Sequence, residues 1–419
     1  MSDNFNLRSK DYWKKMGWGL LLGLIGAISA LIFIIITTFG QSFFMPYIGN
    51  NWTPFSGSWF IVGVMTITGL IVGIMHRYTS AQEMDVFGAL SKFHLDPKPM
   101  PSSVFTSILS LIGGFSLGPE VPTGMLSTGL ASWINMKRKL NPELMKTNFL
   151  SSISGAWGGL FTSPFAMIII LLEIDHKQYV KYYGTLLIAG LAAVIGFSIF
   201  YAAGGFNYAS LLGLLKPPEY HLELWHLVAS ILFGIIAVPI ALLFVVFTKI
   251  FDRLIQPLDN TPIIRGLLGG FLLGLFAFLL PTNYGLGTIP MSIVAQHAAE
   301  IGVLLLILFG IAKLVALTGA LRFGFIGGPI FPLLFVGSCF GAAINLIFPQ
   351  IPLGLALGCM IIAVPAAIVP IPLALAAIGL IVIGLSPTDA LPVVISALVA
   401  YSITHGLLME GKEDMKSEA

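Results

Sequence analysis

Gly118-Pro119-Glu120-Val121-Pro122-Thr123-Gly124 interrupts a long apolar run and sets a carboxylate at the start of the next helix. Neither Pro119 nor Pro122 can donate a backbone hydrogen bond, so each fits only a first helical turn or a break. Residues 125–135 then read as helix, and its unpaired N–H groups and dipole point back toward Gly118. A helix start held inside a membrane protein is a ready site for an anion. Glu120 is an anion tethered at that place, so it competes with a diffusing anion for the same amides.

The surrounding chain makes the membrane setting firm. Hydrophobic residues are 57% and charged residues only 10% of 419, against about 25% charged in soluble domains. Apolar runs of about 20 residues recur, each enough to cross a hydrocarbon core of roughly 30 Å. They are too long and too uniformly apolar for barrel strands, so the fold class is an all-α polytopic membrane protein. Many of the 46 glycines and 25 prolines fall inside apolar runs. Irregular backbone at membrane depth survives only where protein or a wet cavity surrounds it, which points to broken helices of a transporter or channel. A net charge of +2 leaves no nucleic-acid footprint. Cys339 and Cys359 read as small buried hydrophobes, and the scattered histidines lack metal-ligand spacing, so no cofactor or metal is expected.

In order, residues 1–15 form a polar tail with Lys10, Lys14 and Lys15 next to the first span, 18–39. The positive-inside rule places this tail in the cytoplasm of a multi-pass protein, expected in the plasma membrane. A span at 59–75 follows, then a polar, broken segment at 78–100. Helices are expected at 103–114 and 120–135, before the basic loop Lys137-Arg138-Lys139. The run after it is read as interrupted at Gly155–Gly159 and Pro164, ending at Glu173-Ile174-Asp175-His176-Lys177, of which Asp175-His176-Lys177 read as a solvated helix end. A span at 183–203 closes a first membrane repeat of residues 16–203. Residues 204–221 connect it to a second repeat, 222–409, and the charged stretch 410–419 has no periodicity and is expected to be disordered.

The two halves are related. An offset of 210 sets Gly118-Pro119 on Gly328-Pro329, Pro122 on Pro332, and Ile134-Asn135 on Ile344-Asn345. An offset of 208 sets Ser163-Pro164-Phe165-Ala166 beside Ile371-Pro372-Leu373-Ala374. If the repeats are inverted, both interrupted helices aim their N-termini at one point near the midplane.

On these residues the chain resembles the CLC family of chloride channels and proton-coupled chloride exchangers, closest to a divergent bacterial branch. Gly118-Pro119-Glu120-Val121-Pro122 is similar to the family's G-R/K-E-G-P signature, and Gly328-Pro329-Ile330-Phe331-Pro332 to its G-x-F-x-P. Phe161-Thr162-Ser163-Pro164-Phe165-Ala166, running to Leu172-Glu173, resembles the family helix that ends in paired acids. The resemblance covers roughly residues 15–408. It implies two inverted repeats with tilted, broken helices, a homodimer with one pore per subunit, and Glu120 as the gate. The anion site would be formed by Gly118, Val121, Pro122, Gly328, Ile330 and Phe331, with Ser80 and Ala81 on the inner side. Ala81 falls where the family has its anion-coordinating serine, and Ile174 where exchangers have the inner proton-relay glutamate. Glu173 is the neighbouring acid, and no equivalent of the family's anion-facing tyrosine can be placed.

Plainer readings stand beside these. Glu120 could cap a helix start, although a carboxylate at membrane depth costs about 2.5–3.5 kcal/mol on insertion scales. Ile330 and Phe331 could be packing residues, and Ser80, Ala81 and Gln82 an ordinary loop. Glu173 could be structural, and Lys313 could snorkel, pair, or add positive potential. The partners expected are chloride or a related small anion, protons if transport is coupled, and membrane lipid. Channel and exchanger both remain open, as do fluoride export and a broken-helix transporter for another solute. An intramembrane enzyme would need paired aspartates, Ser–His or zinc ligands, and the sequence offers none.

Overall fold

The computed structural model describes residues 9–48, 53–174, 179–209, 218–383, 385 and 388–417. Asp175-His176-Lys177, read from sequence as a solvated helix end, lies outside them. The chain runs through α1 (Lys10–Ser42), α2 (Trp59–Tyr78), α3 (Val86–Lys92), α4 (Met100–Ile112), α5 (Glu120–Lys137), α6 (Pro142–Leu160), α7 (Pro164–Ile174) and α8 (Tyr179–Ala209). The second half contains α9 (Leu224–Ile255), α10 (Pro262–Leu279), α11 (Thr288–Ile301), α12 (Val303–Phe323), α13 (Ile330–Ile347), α14 (Leu353–Ala366), α15 (Pro372–Ile383) and α16 (Ala390–Ser417). Eight of the described helices are long and apolar enough to cross a membrane.

The helices sort by what they face. On α1, Leu21, Leu24, Ile28, Ile32, Ile35 and Phe39 are exposed, while Leu22, Gly23, Gly26, Ala27, Ala30 and Phe33 are buried. A helix apolar all round, with bulky residues outside and small ones inside, suits a lipid solvent. The helices α5 and α6 differ. They bury Ser127, Thr128, Ser132, Ser151, Ser152 and Ser154, and their hydroxyls are tolerable because other protein, not lipid, surrounds them.

Several sequence-based boundaries shift. The helix α1 begins at Lys10, inside the stretch read as the N-terminal tail, with Ser9 accepting from the Asp11 N–H at its start. A short helix, α3, lies in the segment read only as broken, nucleated by Asp85 Oδ1 accepting the Gly88 N–H at 2.8 Å. The helix α8 continues to Ala209, and α16 to Ser417 rather than ending near 408, so the stretch expected to be disordered carries on as helix as far as Ser417. Most instructive is α6, which passes unbroken through Gly155, Gly158 and Gly159. These glycines do not interrupt the run. A Cβ on Gly155 would overlap the Gly23 carbonyl of α1, and one on Gly196 of α8 would overlap the Gly155 carbonyl. They are the surface on which three helices touch backbone to backbone. The real break is at 161–163, where Thr162 takes a left-handed backbone conformation.

The halves meet at their matching breaks. Gly118 and Gly328 form an isolated antiparallel bridge, each N–H donating to the other's carbonyl at 2.7 Å. Reciprocal bonds between residues 210 apart are what a duplicated unit gives when it packs across a local two-fold. The same offset pairs Gly114 with Gly324, both at positive φ (+85° and +96°), and Phe115 with Phe325, whose rings stack 3.5 Å apart. Because the bridged strands are antiparallel, α5 and α13 leave it in opposite directions, with their first turns facing each other.

Candidate anion site at the repeat junction

Glu120 opens α5 and is fully buried. Its Oε1 accepts the Ile330 N–H at 2.6 Å, a bond spanning 210 residues. The amides of Glu120 itself and of Phe331 also face the carboxylate. Pro329 precedes them as N-cap, so Ile330 supplies the first N–H of α13. The carboxylate thus occupies the electropositive tip of the opposite repeat's helix. Its Oε2 is buried with no hydrogen-bond partner among the described residues.

Glycine shapes the pocket. A Cβ on Gly118 would overlap Oε2, and one on Gly328 would overlap Oε1 and the atoms behind it. Both positions must lack a side chain for the carboxylate to lie where it does. The backbone under Glu120 is held from its own side. Trp157 Nε1 donates to the Glu120 carbonyl at 2.9 Å, and Thr123 Oγ1 donates to the Pro119 carbonyl at 2.8 Å. Val121 and Pro122 complete the buried first turn. Trp157 carries no motif and sits 37 residues away, so sequence reading missed it.

The remaining expected residues lie elsewhere. Ser80 Oγ is 3.3 Å from Ser102 Oγ. Ala81 and Gln82 line a cavity of about 310 Å³ together with His76, Glu83, Asp252, Asp259, Arg265, Arg322, Gly324 and Phe325. Around Glu83, the protein walls push the carboxyl above its ordinary value, with Arg322 opposing the rise and Asp85 adding to it. Glu173 accepts the amides of Leu373 and Ala374 at 2.8 and 3.0 Å, so it caps the start of α15 and joins the two halves. Lys313 is wholly buried and does not snorkel. Its Nζ donates to the Gly285 carbonyl at 2.7 Å, with those of Thr282 and Asn283 at 3.3 and 3.5 Å. No group of three metal-ligating side chains occurs among the described residues.

Two helix starts aimed at one buried point that a carboxylate occupies, within a bundle of membrane-length helices, define a broken-helix membrane protein of the ion-transport class. The voltage gated chloride channel family model matches residues 68–405, and the chain belongs to this family, the CLC family. Among curated proteins it is 26% identical over 367 residues to the "Putative ion-transport protein YfeO" of Escherichia coli O139:H28, covering 82% of this chain and 84% of that one. The protein of the same name from Shigella boydii serotype 4 is 26% identical over 318 residues, 73% of this chain and 72% of the other. Two solved structures share the fold. A slow cyanobacterial Cl⁻/H⁺ antiporter superposes with a TM-score of 0.74 at 18% identity, over 96% of both chains. A CLC-type fluoride/proton antiporter superposes with a TM-score of 0.69 at 21% identity, over 93% of this chain and 94% of the other.

Proposed function

We propose that this protein carries chloride or a chemically similar small anion across the cell membrane, and that Glu120 is its gate. One observation carries the reading: the Glu120 carboxylate occupies the Ile330 amide at 2.6 Å, at the junction of the repeats. An anion arriving there would find the same donors, since a helix start replaces lost hydration with fixed dipoles. Glu120 Oε2 has no hydrogen-bond partner among the described residues, and a buried acceptor left unmade costs about 1–3 kcal/mol, more when charged. The plugged state is therefore poised, and proton uptake or a competing anion can displace the side chain. The antiporters of similar fold, one for chloride and one for fluoride, support an inorganic anion over an organic solute. We take the working unit to be a homodimer with one pathway per subunit and the N-terminus in the cytoplasm.

Anion efflux from liposomes, with chloride and fluoride run side by side, tests the reading. Glu120→Gln keeps the size of the side chain but removes its charge. We expect it to change the flux and to abolish the part of the pH dependence in which acid raises flux. Unaltered flux and pH response in that variant would refute the gate. Proton movement driven by a chloride gradient separates exchanger from channel. Glu173 is committed to two amides of α15, so any coupled proton must use another group on its way to the cytoplasm.

A further inference from the structure

His76 lies in the last turn of α2, and both of its ring nitrogens contact carbonyl oxygens. Its Nδ1 lies 3.0 Å from the Ala81 oxygen, and its Nε2 lies 2.6 Å from the Gly324 oxygen, 248 residues away. A carbonyl oxygen only accepts. Neutral imidazole has one N–H and one lone pair, so it can satisfy one of these contacts and sets its lone pair against the other. Only the imidazolium donates to both, and it forms charge-assisted bonds of this short length.

The tied segments are not arbitrary. Ala81 belongs to the first half's stretch ahead of α3, and Gly324 begins the second half's return to Gly328. Ser110 Oγ accepts the Ile326 N–H within that return, and three residues separate Gly324 from the bridge that cradles Glu120. Both carbonyls belong to residues lining the 310 Å³ cavity. That cavity opens on the face where α1 begins, because α1 and α2 cross in succession. The Lys15–Glu143 ion pair puts the start of α6 on this face too. Charged groups surround the imidazole there. They are Glu83 on the loop after α2, Asp252 paired with Arg322 at 3.1 Å across α9 and α12, and Arg265 of α10 at 3.5 Å from Asp259.

We propose that His76 is a proton-operated clasp between the two repeats at the inner mouth, a positioning residue that holds the Ala81 and Gly324 segments together when charged and frees one when neutral. The clasped form is the one that accompanies the plugged Glu120. Internal acidification then slows transport. The effect on transport rests on the function proposed above, whereas the clasp itself does not.

The test uses the full-length protein. In a Glu120→Gln background the gate no longer titrates, so pH dependence that persists must come from elsewhere. We expect chloride efflux in that background to rise roughly ten-fold between pH 5.5 and 8, the scale of one lost charge-assisted hydrogen bond. Adding His76→Gln should remove the rise, and adding His76→Arg should hold the flux at its low-pH level. A rise that survives His76→Gln overturns the proposal. Should Glu120→Gln carry no flux, the transport reading fails instead, and hydrogen exchange still reads the clasp. After correction for intrinsic exchange, protection of amides 79–85 and 324–328 should fall with rising pH in the parent chain and stay level in His76→Gln. Identical profiles in the two would discard the clasp.

Discussion

The first break, at 114–124, and the second, at 324–334, have nearly the same backbone and opposite chemistry. Both carry a left-handed glycine, Gly114 or Gly324, a phenylalanine in the shared stack, and a bridging glycine followed by proline. They part at the next position, where the first has Glu120 and the second Ile330. Because the bridge relates the repeats, Glu120 reaches across to the amide of its own counterpart, and Ile330 returns no carboxylate. The fold is built twice, but the acid is present once. A symmetric cradle with two acids would set like charges together in a medium that screens them poorly. With one, under the proposed function, either the acid or a diffusing anion can fill it.

Making the halves alike is the most drastic way to break this comparison. Ile330→Glu with Glu120 intact would bury a second carboxylate at the junction. We expect a loss of roughly 3–5 kcal/mol, the scale of an uncompensated buried charge, seen as a large drop in melting temperature in detergent and as lost flux. The informative partner is the double variant Glu120→Gln with Ile330→Glu. If the cradle is symmetric, the transplanted acid plugs it from the other side, and flux falls back toward that of the parent. Flux equal to that of Glu120→Gln alone would mean that the halves share a backbone but not a gate.

A milder comparison uses the glycines. Alanine at Gly328 would overlap Glu120 Oε1, its carboxyl carbon and Cγ, whereas alanine at Gly118 meets the carboxylate group alone. The displaced atoms belong to the end of a flexible side chain, so each substitution should expel the carboxylate at modest cost in stability. Both variants should then resemble Glu120→Gln in liposome efflux without altering the acid. Gly328→Ala should come close to it, with Gly118→Ala showing a smaller change. The reverse order would show that Oε2, not the bonded Oε1, anchors the plugged state.

These asymmetries also mark what could be read in the sequence. The 210-residue spacing, the prolines that delimit a first helical turn, and the acid among them are local signals, and they located the junction. Gly155–Gly159 misled because glycine breaks a helix in water yet permits close helix contact in a membrane protein. The two uses look alike until a partner backbone is in view. Trp157 and His76 were illegible as site residues for another reason: their partners are 37 and 248 residues distant, and neither lies in a motif. The helix α3 was missed because seven residues carry too little periodicity to register.

The smallest difference between the halves lies at the far ends of the two broken helices, where Asn135 and Asn345 occupy equivalent places. Each amide nitrogen donates to a carbonyl in the segment that follows, Asn135 to Met145 at 3.1 Å and Asn345 to Ile351 at 2.7 Å. Judged by distance alone, the second bond is the better one. Asn135, however, is buried and also accepts from Asn148 Nδ2 at 2.8 Å, while Asn345 is only partly buried. Removing Asn135 leaves the Asn148 amide nitrogen without its partner, and the Asn148 Oδ1 already has none among the described residues. Asn135→Ala should therefore cost about 2–3 kcal/mol and Asn345→Ala about 1 kcal/mol, since an orphaned buried donor outweighs a lost bond that water can replace. Thermal unfolding of the two variants in one detergent, beside Asn135→Ala combined with Asn148→Ala, checks the order and the cause. The double variant should lose little beyond the single one. An additive loss would mean that Asn148 serves stability through some other contact, and that the two repeats are fastened in the same way after all.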